Sequence, residues 1–167
     1  MDYYTRPATI LDIPEIQEII RIASKDGVGI EGSEEELLKW QQVNCSRELI
    51  ESRILDEDIF LLVTEETFKE DNKKKIVGTG YAMIKEDGIG YLGGLYCLVR
   101  GEGVGSGLLV ELIAWLERLG VTSSEMVVAG KNTSMLGLSK KLGFTPAGLV
   151  KGEFFPNGTW ITLKKTL

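Results

Sequence analysis

Apolar residues recur at helical spacing in four places along the chain and bunch into short runs between them. Ile13, Ile16, Ile19, Ile20 and Ala23 fall three and four apart, one face of a helix. Its start reads from Asp12-Ile-Pro-Glu15, with Asp12 as cap, Pro14 in the first turn and Glu15 reaching back; Gly27 and Gly29 close it. Ser33-Glu-Glu-Glu36 has capping-box spacing and opens a short helix through Trp40. A third helix is expected over residues 46–55, where Leu49, Ile50, Arg53 and Ile54 share a face. Residues 106–119 place Leu108, Leu109, Leu112, Ile113, Leu116 and Leu119 on one stripe, and Gly120 stops it. Met135, Leu138 and Leu142 mark a last helix over residues 134–142, capped by Asn132 or Thr133 and closed by Gly143. Trp115, inside the 106–119 helix, reads as core filler.

The runs between these stripes have strand length. Residues 3–10 make a short edge strand, since Pro7 cannot donate to a ladder. Residues 58–64 (DIFLLVT) are continuously apolar, as expected of a strand buried on both faces. Residues 65–75 (EETFKEDNKKK) are densely charged and read as a solvated hairpin loop leading into a strand over 76–84. Glu86-Asp-Gly88 supplies a tight turn into residues 89–98. Gly90, Gly93 and Gly94 weaken that strand unless something packs close to its backbone or a bulge is wanted. Residues 125–129 make a short strand, and residues 149–155 and 159–163 a hairpin turning at Pro156-Asn-Gly158.

Composition narrows the function. With 167 residues, 43% hydrophobic and 26% charged, the chain is one ordinary globular domain, residues 1–167. No run approaches the roughly 18 apolar residues of a membrane span, and the first residues, MDYYTR, lack a signal-peptide pattern. Two cysteines, Cys45 and Cys97, make no disulfide framework and suggest a cytoplasmic home. The absence of histidine removes Ser-His and Cys-His nucleophile schemes and most zinc sites, so no metal is expected. A net charge of −6 disfavours nucleic acid as a partner.

The densest chemical signal is the stretch V-R-G-E-G-V-G-S-G-L-L, residues 99–109, between a strand and a helix. Amides exposed at such a turn, together with the helix dipole, favour a bound anion. Neither common phosphate motif fits. No Lys-Ser or Lys-Thr follows at the Walker offset, and G-x-G-x-x-G fails at Ser106 and Leu108.

Arg100-Gly-Glu-Gly-Val-Gly105 does match a third pattern. It resembles the Q/R-x-x-G-x-G/A signature with which GNAT N-acetyltransferases hold the pyrophosphate of acetyl-CoA. The later order of strand 127–129, Asn132, helix 134–142 and Gly143-Phe144 also resembles that superfamily, as does the succession of elements along nearly the whole chain. The resemblance implies an α/β (α+β) fold, a mixed, mostly antiparallel sheet of about six to seven strands with helices on both faces. It implies acetyl-CoA as donor and direct transfer to a primary amine of a small molecule or peptide. Dimers occur in the superfamily, so a homodimer is expected by analogy. Residues 26–46 correspond to the region covering the acceptor.

The same resemblance assigns the donor site. Tyr96, Cys97, Leu98 and Val99 are candidates for the edge that takes the pantetheine arm. Arg100, Gly101, Glu102, Gly103, Val104, Gly105 and Ser106 form the cradle. Asn132, Ser139 and Lys140 join it from the second helix start, with Lys131 and Lys141 as further cations. Two features depart from the family. The loop between Cys97 and Arg100 is short, and the Tyr that often protonates the departing thiolate is replaced by Ser139. Ser139 through water, or Tyr96 from the neighbouring strand, are the candidate acids; alternatively Ser139 only bonds its own helix. Glu31, Glu34, Glu86 and Glu153 are the carboxylates considered as base, and none is singled out. The absent Tyr also leaves open a catalytically silent module that binds CoA and regulates.

Overall fold

The computed structural model describes residues 2–27, 32–70 and 72–167. The chain runs β1 (Asp2–Pro7), α1 (Ile13–Gly27), α2 (Glu34–Asn44), α3 (Arg47–Leu55), β2 (Ile59–Thr67), β3 (Lys74–Ile84) and β4 (Gly90–Cys97). It continues with α4 (Val104–Arg118), β5 (Ser123–Ala129), α5 (Thr133–Lys141), β6 (Thr145–Val150) and β7 (Trp160–Thr166). One seven-stranded sheet has the order β1-β2-β3-β4-β5-β7-β6. Every neighbouring pair is antiparallel except β4–β5. The expected fold class is the one observed.

Each face of the sheet has its own core. The stripe Ile13, Ile16, Ile19 and Ile20 of α1 packs with Ile50 of α3 against Leu61, Val63 and Tyr81. On the other face Leu108, Leu109, Leu112, Ile113 and Leu116 of α4 meet Leu62, Val77, Ala82, Leu92 and Val128. Each such side chain contributes about 1.5–3 kcal/mol when fully buried. Trp115 stacks on Phe60 with centroids 5.3 Å apart, a packing role as expected. α4 can lie this low because its seats lack side chains. A Cβ on Gly78 would stand 2.7 Å from Val104 Cγ1, and one on Gly90 2.6 Å from Leu116 Cδ1.

Four local expectations change. Asp12 does not cap α1: its carboxylate turns back to accept from the Thr9 amide at 2.7 Å, closing a short 3-10 turn over Ile10–Asp12. Glu15 instead accepts from the Ile76 amide at 2.9 Å and ties α1 to β3. α2 runs on past Trp40 to Asn44, with the Ser33–Glu36 capping box in place. The expected loop 65–75 contracts to residues 68–73, because β2 continues through Glu65 and Glu66, which are 7% and 6% exposed. Finally, β6 lies at 145–150 rather than 149–155, and residues 151–159 form a longer connection instead of a tight Asn-Gly turn. All six β6 residues are exposed, so pairing with β7 defines this strand and hydrophobic patterning does not. Gly29 lies outside the described residues.

Burial of Glu65 is offset by Arg6. Its guanidinium donates to Glu65 Oε1 at 2.6 and 2.9 Å and to both Asp12 oxygens at 2.8 and 2.9 Å. Lys74 Nζ adds a contact to Glu65 Oε2 at 3.2 Å. Burial by itself pushes both carboxyls up. Hydrogen bonds from Arg6, with help from Thr9 and Lys74, outweigh it and hold both below their ordinary values.

Removing one partner of such a buried set leaves like charges facing each other. Arg6→Met should therefore destabilise the protein by about 3 kcal/mol near pH 7. Carboxyls with lowered folded pKa values stabilise above their unfolded values and lose that contribution as pH falls through the folded ones. The gap between wild type and Arg6→Met, read from urea midpoints, should close below about pH 4. An equal gap at both ends of the range would contradict the network.

Candidate active site

The site is built on an irregularity in β4. Thr79 of β3 pairs with Tyr96, but Tyr81 pairs with Gly93, so β4 carries one residue more than β3 between these points. Gly94 supplies the left-handed backbone that this bulge needs, with φ +58°. An extra residue exchanges the faces of everything after it. Before the bulge Tyr91 faces α1 and Leu92 faces α4; after it Tyr96 and Leu98 face α1 while Leu95, Cys97 and Val99 face α4.

Beside the bulge the sheet opens. The β4–β5 ladder holds only Gly90 with Ser124 and Tyr91 with Glu125. Lys85 Nζ meets Glu125 Oε1 at 2.7 Å at the closed end of this wedge. At the open end lies a cleft of about 550 Å³, floored by Leu95, Cys97 and Val99 and walled by the starts of α4 and α5. Gly101 and Gly103 hold φ of +78° and +79°, and Gly103 is the N-cap of α4 without any side-chain cap. The first amides of a helix have no partner within it. Among the described residues no turn or loop carbonyl accepts from the amides of residues 100–106, and the first bond of the helix is Gly107 N–H to Gly103 O at 2.8 Å. These donors point at a cleft that also receives Arg100, Lys131 and Lys141.

Of the residues singled out in the sequence, Tyr96, Cys97, Val99, Arg100, Gly101, Gly103, Val104, Gly105, Ser106 and Asn132 line this cleft. Four do not. Leu98 is carried to the α1 face by the bulge. Glu102 is exposed at the tip of the turn. Ser139 is 1% exposed, and its hydroxyl donates to Met135 O at 2.9 Å and Leu136 O at 3.0 Å, within its own helix. Lys140 points to solvent, while Lys141 takes the cleft position. Helical spacing carries that signal: Ser134, Leu138 and Lys141 share one stripe of α5, and Lys140 lies off it. Asn132 caps α5, accepting from the Met135 amide at 3.1 Å. Arg100 reaches Asp26 of α1 at 3.2 Å across the cleft mouth, an exposed pair that is easily broken.

Tyr96 belongs to two spaces. It lines the cleft and also a second cavity of about 210 Å³ under α1, α2 and α3. Its ring meets Trp40 edge-on at 6.1 Å, and burial pushes its phenol well above the ordinary tyrosine value. Burial also raises Cys97, to about 11, so it remains a thiol near neutrality. Glu34, Glu86 and Glu153 are exposed and line neither space; Glu31 lies outside the described residues.

Residues 17–144 match the model of the acetyltransferase (GNAT) family. The chain belongs to this family. GNAT proteins are acyltransferases that take their acetyl group from acetyl-CoA. Among solved structures, the PaiA N-acetyltransferase of Thermoplasma acidophilum in complex with coenzyme A is similar over 99% of this chain and 100% of that one, with TM-score 0.80 and 20% identity. The ribosomal-protein-S18-alanine N-acetyltransferase of Escherichia coli is similar over 99% and 94%, with TM-score 0.72 and 17% identity. The ribosomal-protein-alanine N-acetyltransferase of Brucella melitensis is similar over 98% and 99%, with TM-score 0.71 and 22% identity. No curated protein sequence matches the chain. Among the described residues no helix is long and apolar enough to cross a membrane, and no group of acids or cysteines is arranged to hold a metal.

The place of Ser139 in this GNAT chain makes a clear expectation. Ser139→Ala removes hydrogen bonds only to its own helix, so it should cost about 1 kcal/mol of stability and leave turnover within about twofold. A large fall in kcat with unchanged stability would return Ser139 to the chemistry.

Proposed function

We propose that residues 1–167 work as one cytoplasmic acetyltransferase domain that moves an acetyl group directly from acetyl-CoA to the primary amine of a small molecule or peptide. The observation that carries this reading is the set of unpartnered amides over residues 100–106, aimed into a cleft beside the open edge of β4. The cleft suits this donor in charge and shape. Amides of Gly101–Ser106 with Arg100, Lys131 and Lys141 would hold its phosphates, and Leu95, Cys97 and Val99 would floor its arm. Neighbouring structures named for acetylating ribosomal-protein alanines support an amino group as acceptor. The small volume of the second cavity favours a small amine over a peptide.

Acetyl-CoA supplies an acetyl group activated as a thioester. The chain's part is to position two reactants and to move two protons. Tyr96, between the two spaces, remains protonated at neutral pH because burial raises its pKa. Its hydroxyl donates a proton to the departing sulfur, whose ordinary thiol pKa of about 8.5 makes it a fair leaving group. Cys97, kept as a thiol, takes no covalent part. Among the described residues Asp26 is the only carboxylate on either lining, and Arg100 holds it at the mouth. The amine's proton therefore leaves through water at the open edge of β4.

Acetyl-CoA at about 100 times its Kd should stabilise the protein by roughly 2.7 kcal/mol, whereas ATP and NAD should not. Gly103→Val forces a branched side chain into left-handed backbone; it should cost about 1–2 kcal/mol of stability and weaken acetyl-CoA binding at least about tenfold. A melting shift by ATP or NAD alone would overturn the reading, and acetyl-CoA binding without thiol release for any amine would leave a silent CoA-binding module. Tyr96→Phe should lower kcat by roughly 100-fold with little change in the KM for acetyl-CoA, measured by thiol release. Unchanged kcat would remove Tyr96 as the acid.

A further inference from the structure

The second cavity plays no part in holding the donor, and the polarity of its lining is unusual for this chain. It encloses about 210 Å³, less than the roughly 300–1,000 Å³ of drug-sized pockets. Among the described residues it has no Asp or Glu on its walls, although the chain carries a net charge of −6. Its one charged side chain is Arg53 of α3, whose guanidinium carbon stands 4.2 Å from the centre of the Tyr81 ring. No carboxylate pairs with Arg53 among the described residues. A guanidinium over an aromatic face has its N–H edges free for an acceptor beyond the ring.

Two tyrosines of the lining add donors, while the Thr79 hydroxyl is already spent on Leu62 O at 2.9 Å. The Trp160 ring forms part of one wall, while its Nε1 is sealed away from the cavity and has no hydrogen-bond partner among the described residues. Tyr91 and Tyr96 add hydroxyls; burial raises both phenols, Tyr91 to about 12, so both are donors at neutral pH. A guanidinium and two phenols, with no acid among them, complement an anion.

We propose that this cavity selects an acceptor amine that carries a carboxylate, a free amino acid, with Arg53 anchoring the carboxylate. The proposal rests on the acetyl-transfer reading above and narrows its acceptor. A polyamine is disfavoured, because its second ammonium would meet Arg53 and find no carboxylate. For an amino acid the same cation pairs the carboxylate and lowers the pKa of the nearby ammonium, favouring the neutral amine that attacks.

Thiol release from acetyl-CoA is measured with free amino acids, with the corresponding amino-acid amides and with spermidine, alongside melting shifts with acetyl-CoA. The best amino acid should exceed its own amide in kcat/KM by about 10–100-fold. Arg53→Gln should erase that preference by raising KM for the acid alone, and Arg53→Lys should restore part of it. Because Arg53 is outside the donor cleft, the melting shift with acetyl-CoA should be unchanged in both variants. Amides or spermidine used as well as the acids, no amino acid turned over by protein that binds acetyl-CoA, or a preference that survives Arg53→Gln would each overturn the proposal. Absence of any acetyl-CoA melting shift would instead remove the acetyl-transfer reading on which it stands.

Discussion

Between Gly93 and Tyr96, β4 runs three residues while β3 runs two, and that surplus reverses the face taken by every later side chain of the strand. Without it Tyr96 would lie under α4 and Cys97 under α1. With it, a phenol is delivered to the boundary between the two cavities and an apolar floor is delivered to the cleft. β4 has already parted from β5 after Tyr91, so a strand edge lies open beside the re-aimed tyrosine. The parting of the strands supplies the opening, and the bulge supplies the group that faces into it.

The cradle depends on how α4 is seated. Its first turn rests over Gly78, and its last lies over Gly90, positions where a larger side chain would run into Val104 and Leu116. The amides of residues 100–106 are therefore fixed relative to β4 by packing on strands far from them in sequence. Preorganisation of this kind lets an anion meet donors that are already in place, with little ordering left to do on binding.

Local signals were legible where they were self-contained. The glycine turn, the Ser33–Glu36 capping box and the stripes of α1 and α4 each lie within a few residues of sequence, and each formed as expected. Signals that depend on a distant partner were not. Glu65 and Glu66 look like loop residues until Arg6 arrives from β1, 59 residues from Glu65. Arg53 fits the buried face of α3 by spacing, yet its role is set by Tyr81 on another strand. Strand β6 has no inward face to pattern, and so the hairpin was expected too late in the chain. In the site, the glycines announce the bulge in β4 but not its consequence, the change of face that separates Leu98 from Tyr96's cleft neighbours.

Cys97 stands beneath the start of α4, its sulfur 3.5 Å from where a Cβ on Gly105 would be. A second sulfur beside a bound thioester invites exchange, in which the acyl group hops to the protein and is stranded there. Only the ionised form attacks, and burial holds this thiol far from ionisation. A thiol held in its neutral form reacts slowly with alkylating agents and peroxide, which attack the thiolate.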